Sequence, residues 1–155
     1  MKIIICGLKI VGRPHVKAML DDIVAHKEDT DIISGFDLVC EEDWNPRCDT
    51  FLDLILEAQQ KVGKDRLSFY FHAGESTSRD NQELYDAVLL GCKRIGHGFA
   101  LAQHPSLIKK VIEQDICIEC CPVSNKALGY TTDLRTHPAR SLLTKGVMLS
   151  LSPDD

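Results

Sequence analysis

The sequence lacks any apolar run long enough to cross a bilayer. Its longest, such as Lys2 to Ile10 and Leu84 to Gly91, fall far short of the roughly 20 residues a membrane helix needs. It also lacks an excess of basic charge. Eighteen Lys and Arg stand against 23 Asp and Glu, a formal net charge of -5, which argues against generic nucleic-acid binding and against an anionic membrane as partner. No charged-then-apolar leader with a small-residue cleavage site opens the chain, and no linker rich in Gly, Pro or Ser divides it. What is present is 44% hydrophobic and 26% charged residues over 155 positions, the composition of a folded domain or of part of a larger one.

Cysteine is abundant, at seven residues, but the number is odd and the spacing scattered, so a disulfide framework is not expected. Cys117-Ile-Glu-Cys120 has the spacing of a metal clasp. It falls in the β-like run 115–121, however, where residues three apart point to opposite faces. The pair is therefore predicted to pack rather than to ligate, and the cellular compartment stays open.

Short apolar runs alternate with helix-like stretches throughout. Strands are predicted at Lys2–Leu8, Asp31–Leu38, Leu67–His72, Lys93–His97, Ile116–Cys121 and Val147–Leu151, continuous apolar segments of the kind covered on both faces. Val16, Leu20, Ile23 and Val24 share one helical face, as do Leu107, Ile108, Val111 and Ile112. Pro14, Pro105 and Pro138 suit first helical turns and Gly91 a helix C-terminus. The pattern predicts a parallel α/β chain of six strands with five intervening helices.

Reactive side chains recur where those strands end, the position at which parallel α/β barrels collect catalytic groups. The third strand ends in Phe71-His72-Ala73-Gly74-Glu75, the fourth in Arg94-Ile95-Gly96-His97-Gly98, the fifth in Cys121-Pro122-Val123-Ser124-Asn125 and the sixth in Ser150-Leu151-Ser152-Pro153-Asp154-Asp155. Two His, one Glu and two Asp at such ends converge on one mouth and suit metal-assisted hydrolysis. His72 offers an imidazole nitrogen and Asp154 a carboxylate oxygen to zinc. Gly74 lets the backbone bend so that Glu75 turns inward, where it can act as an acid toward bound substrate. His97, between two glycines, can orient the attacking water, and Asp155 is left to hydrogen-bond the substrate. Asp37 is expected behind the metal ligands, whereas Glu41, Glu42 and Asp43 are expected to form a solvated acidic loop. His15, His26, His104 and His137 are read as structural, Ser124 and Asn125 as either structural or substrate-facing. Trp44 is read as a pocket cover or a surface aromatic.

These four motifs, in this order, resemble the adenosine deaminase family. Gly35-Phe36-Asp37-Leu38-Val39, Gly98-Phe99-Ala100-Leu101 and Asp133-Leu134-Arg135-Thr136-His137-Pro138 look most like its adenosine deaminase-related growth factor branch. The resemblance spans essentially the whole chain. It implies a (β/α)8 barrel with one zinc ion that converts adenosine to inosine and ammonia. It further implies His72 and Asp154 as zinc ligands, Glu75 as the acid toward purine N1, His97 as the aid to the attacking hydroxide, and Asp155 as the partner of N7. Substrate contacts are implied at Cys40 and Gly74 as well. The implied partner is a small purine nucleoside, with room for a homodimer of a longer protein and, since the branch includes secreted members, for an extracellular setting.

The departures are equally specific. The family draws two more zinc ligands from a His-x-His on its first barrel strand, and no His-x-His occurs here. The first strand of this chain looks like the family's third, so an incomplete TIM barrel is expected, without the first two βα units and the last helix. The isolated chain is accordingly expected to bind zinc weakly, to lack useful activity and to associate through open edges. Cys40 stands where the family usually has Gly near a backbone contact to the purine, a difference that matters if φ is positive there. The H-x-E with P-C-x-x-C signature of other zinc deaminases and a helical H-E-x-x-H are both absent. Two other readings stay open: a related aminohydrolase acting on another purine such as AMP, and a non-catalytic nucleoside- or partner-binding protein.

Overall fold

The computed structural model describes residues 1–63 and 65–154. Strands and helices alternate along it: β1 (Ile3–Leu8), α1 (Arg13–His26), β2 (Ile33–Val39), α2 (Leu52–Val62), β3 (Ser68–Phe69), β4 (His72–Ala73), α3 (Glu83–Leu89), β5 (Arg94–His97), α4 (Pro105–Glu113), β6 (Cys117–Cys120), α5 (Pro122–Ala127), α6 (Ala139–Thr144) and β7 (Met148–Leu151). All strand pairings are parallel, β1-β2-β3 in one sheet and β4-β5-β6-β7 in the other. This is the α/β architecture predicted above, as an incomplete barrel, with two differences.

The first difference is that the expected third strand is two short ones. The run 67–73 stays extended between its neighbours: Tyr70 N–H donates to Phe36 at 3.0 Å, and Gly96 N–H donates to Phe71 at 3.0 Å. The β2 ladder stops because the His72 N–H turns to a side chain, donating to Asp37 Oδ1 at 3.1 Å. The second difference is in the last crossover, which carries two helices, α5 and α6, where one was expected. Between them His137 ties the segment down. Its Nδ1 accepts the Ala139 N–H at 3.1 Å, which fixes the proton on Nε2, and that nitrogen donates to buried Asn125 Oδ1 at 3.0 Å.

The core lies between strands and helices. Val16, Leu20 and Ile23 of α1, Ile55, Ala58 and Val62 of α2, and Leu107, Ile108 and Val111 of α4 pack on Phe36, Phe69, Phe71, Ile95 and Ile118. Phe71 stacks on Phe69 at 5.1 Å and meets Phe36 edge-on at 6.1 Å, arrangements that ring quadrupoles favour. Ile112 falls outside the apolar face expected for it and is exposed. β2 and β5 are mostly buried, whereas β1 and β7 are largely exposed. No helix of the described residues is long and apolar enough to cross a membrane.

One charge inside this frame is unexpected. Lys9, directly after β1, is fully buried, and its Nζ stands 3.5 Å from Glu83 Oε1 on buried α3, an oxygen that also accepts the Cys48 N–H at 3.0 Å. The pair locks three segments together. Lys9→Met leaves the Glu83 carboxylate buried without its cation and is expected to cost about 3–5 kcal/mol in urea unfolding. Adding Glu83→Gln should recover about half of that loss. A single-variant loss below about 1 kcal/mol would show that the pair stabilises nothing.

Candidate active site

The parallel register brings the polar strand ends to one place. His72 pairs with Gly96 and Ala73 with His97, so both imidazoles emerge at the same end of adjacent strands. Gly96 leaves room there, since a Cβ would stand 3.1 Å from the His72 ring, a tight contact. The two rings lie 5.1 Å apart at 63°. Asp154 follows β7 from the far side. One donor atom each from His72, His97 and Asp154 lies within 4.8 Å of the others, a spacing that fits one shared metal ion.

His72 is oriented from behind. Its Nδ1 is 3.0 Å from Asp37 Oδ2 and 3.2 Å from Oδ1, and Asp37 is itself buried. This contact occupies Nδ1 and leaves Nε2 for a metal, an arrangement usual for zinc-binding histidines. Burial alone would depress the His72 pKa, but the hydrogen bond and the charge of Asp37 outweigh it and raise the imidazole above its ordinary value. His97 behaves in the opposite way. Buried to 3% exposure and close to His72, it is pushed down to about 4 by burial first and then by the second imidazole, so it is neutral at physiological pH. Its Nδ1 is buried without a hydrogen-bond partner. Glu75 Oε1 lies 3.3 Å away, near enough to interact but out of line for a hydrogen bond.

Glu75 sits in a partly buried position just beyond β4. Burial, then the carboxylates of Glu42 and Asp154, raise its pKa from 4.5 to about 7, so a large share of it keeps its proton at neutral pH. Gly74 adopts φ +70°, and a Cβ there would meet the Leu84 side chain at 2.5 Å. The bend expected from the sequence is present, and only glycine fits it.

Backbone strain concentrates here. Among the described residues, four other than glycine have positive φ, and three of them are Cys40 at 113°, His97 at 65° and Asp154 at 73°, all at this mouth. The positive φ that made Cys40 a conspicuous departure is therefore real. Asp155 lies outside the described residues.

Other expectations fare unevenly. Glu41 and Asp43 are exposed, as anticipated, but Glu42 is not part of a solvated loop. It is buried to 6% exposure, because its carboxylate accepts the N–H groups of Glu75 at 3.2 Å and Ser76 at 3.3 Å as well as the Asn81 amide. Trp44 is 91% exposed and covers nothing among the described residues. Asn125 is structural, through His137. The seven cysteines are free, and Cys117 and Cys120 do not join the metal-donor group. Lys9 and Glu42 are the residues that sequence reasoning missed. For Lys9 the available signal was a lysine between aliphatic residues, Gly7-Leu8-Lys9-Ile10-Val11.

Two outcomes test this geometry. Cys40→Gly removes the Cβ penalty of a positive φ and is expected to stabilise the chain by about 1 kcal/mol in urea unfolding, whereas an unchanged or lower stability would contradict the strain. Glu75 binds its proton more tightly folded than unfolded. Its contribution to stability is therefore complete below about pH 4.5 and lost as pH rises through about 7. With chelator present, that loss should amount to about 2–3 kcal/mol between about pH 4.5 and pH 8, and Glu75→Gln should abolish it. Parallel pH slopes for the two proteins would contradict the raised proton affinity.

Comparison with known proteins shows the family. The family model described as adenosine deaminase matches residues 1–155. Adenosine deaminase 2 of Dictyostelium discoideum is 45% identical over 124 residues, 78% of this chain and 23% of that protein. Adenosine deaminase 2-A of Danio rerio is 38% identical over 150 residues, 95% of this chain and 29% of that protein. The chain thus spans about a quarter of the length of these curated relatives. Among solved structures, an adenine deaminase from Arthrobacter aurescens superposes with a TM-score of 0.81 at 24% identity, covering 99% of this chain and 44% of that one. A Burkhoderia ambifaria amidohydrolase with bound Zn gives 0.77 at 20% identity, covering 99% and 41%. An Arabidopsis ADAL complexed with IMP gives 0.80 at 18% identity, covering 99% and 42%. These structural likenesses establish the fold, an incomplete TIM barrel. With a family match along its whole length and a 38%-identical relative covering 95% of it, the chain belongs to the adenosine deaminase family.

Proposed function

We propose that the chain forms part of the catalytic centre of a zinc-dependent deaminase that hydrolyses adenosine or 2'-deoxyadenosine at C6, giving inosine or its deoxy counterpart and ammonia. The observation that carries this reading is the convergence of His72, His97 and Asp154 within 4.8 Å, with the Glu75 carboxyl 3.3 Å from His97.

His72 and Asp154 are the residues that would hold the zinc. Zinc bound there supplies positive charge that lowers the pKa of a water molecule to about 7. Glu75, its pKa raised to about 7, keeps its proton in a large share of molecules near neutral pH and donates it to purine N1, which draws electron density from C6 and opens that carbon to attack. Neutral His97 accepts a hydrogen bond from the attacking water and aims its oxygen at C6. As the C6–O bond forms and the C6–N bond breaks, one water proton leaves with the amine as ammonia and the other replaces the proton lost by Glu75. The product is the N1-protonated 6-oxopurine. Cys40 offers its backbone N–H to the base, Gly74 leaves space for the ring, and Asp155 bonds N7 as the family resemblance implies.

Carboxylates crowd the mouth at Glu41, Asp43 and Asp154, which favours a neutral nucleoside over a nucleotide phosphate. The relatives' names and the IMP held by one structural neighbour support a purine substrate with a 6-oxo product. With no His-x-His among its 155 residues, this stretch alone holds zinc weakly and turns over little substrate.

The test is adenosine turnover, followed by the change in purine absorbance, for the full-length gene product and for residues 1–155 alone. The full-length protein should release inosine, lose activity to a chelator and recover it with zinc. Glu75→Gln should lower kcat by about 10²–10⁴-fold. Inosine release that survives either treatment unchanged would overturn the mechanism, and the absence of any release would overturn the function. Normal turnover by residues 1–155 alone would overturn the weak-zinc reading.

A further inference from the structure

Glu75 hangs on a segment with no helix or strand of its own, residues 74–82 between β4 and α3. A proton donor is useful only if it is held still, so something else must fix this backbone. Glu42 lies across from it on the loop after β2, buried, with its oxygens saturated by the segment. Oε1 accepts the Glu75 N–H and Oε2 the Ser76 N–H, at 3.2 and 3.3 Å, and the Asn81 side-chain amide donates to Oε2. The clamp continues on both sides. Asp43 Oδ1 accepts the Ser76 hydroxyl at 2.6 Å, and Asn81 Oδ1 accepts the Glu83 N–H at 2.8 Å, at the start of α3. Through Glu83 the frame reaches Lys9 and the end of β1.

We propose that Glu42 is a positioning residue, a buried carboxylate clamp that holds the backbone of Glu75 so that its carboxyl meets the substrate's ring nitrogen. The positioning of the loop is a matter of geometry. That its purpose is proton delivery rests on the deaminase reading above. One feature separates this role from simple packing: the clamp grips the amide of the acid itself rather than a distant part of the loop. Glu42 is not itself a proton donor to substrate, since its oxygens are already engaged by the loop.

The full-length gene product is the material for the test, with Glu42→Gln, Glu42→Asp and, as a control from the same buried frame, Glu83→Gln. Glutamine keeps one carbonyl oxygen and cannot accept from both backbone amides as the carboxylate does. Aspartate keeps the charge but withdraws the oxygens by about 1.5 Å. Hydrogen exchange read at the amides of residues 75 and 76 should quicken about tenfold or more in both Glu42 variants and stay within about threefold in Glu83→Gln. In the adenosine assay, the Glu42 variants should lose about 10–100-fold in kcat with KM within about threefold, whereas Glu83→Gln should keep kcat within about threefold. Wild-type exchange at both amides in the Glu42 variants would overturn the clamp. Equal kcat losses in Glu83→Gln would reduce Glu42 to general stability, and full activity in Glu42→Asp would leave only its charge. If the wild-type protein does not deaminate adenosine, the functional reading fails, and the exchange measurement alone decides whether Glu42 holds the loop.

Discussion

The parallel register between β4 and β5 is the constraint on which the site depends. Because His72 lies opposite Gly96 and Ala73 opposite His97, two imidazoles rise from one end of the sheet, and a bare glycine leaves space for the first. A slip of one residue would turn the slipped strand's ring to the other face. Positive φ recurs at the same mouth, at Cys40, His97 and Asp154. Strands that end together must turn away sharply there, and the cost is carried at the residues whose side chains or amides are needed at the mouth.

Charge gives the site its second property. Asp37, Glu42, Glu75 and Asp154 gather around two imidazoles, and Lys9 is a buried cation behind them. Asp37 is engaged with His72 and Glu42 with backbone amides, each a charge held by hydrogen bonds. Glu75 has no comparable hydrogen-bond support; burial first, and then the carboxylates of Glu42 and Asp154, raise its pKa to about 7. A metal cation between His72 and Asp154 would complete that balance, and Asp37 already holds the His72 ring from behind.

Much of this was legible in the sequence. The apolar strands, the proline-led helices and the reactive residues at the strand ends follow from periodicity and turn chemistry, and the structure brings His72, Glu75, His97 and Asp154 to one mouth as that reading expects. Cys40 could be singled out because a family glycine usually marks a special φ. What escaped was decided by tertiary partners. The third strand divides because Asp37 takes an amide that a ladder would use, and no local pattern announces such a substitution. Glu42 reads as one of three acids in a polar loop, and only the approach of residues 75, 76 and 81 buries it. Lys9 reads as the charged end of a strand until Glu83, 74 residues later, arrives beside it.

A cation shared by His72 and Asp154 is what the proposed chemistry needs most. Diffraction from zinc-soaked crystals of the protein, collected on both sides of the zinc absorption edge, addresses that most directly. The expected result is one anomalous peak about 2.0–2.2 Å from a His72 ring nitrogen and an Asp154 carboxylate oxygen. Zinc bound elsewhere, with that space filled by water alone, would contradict it.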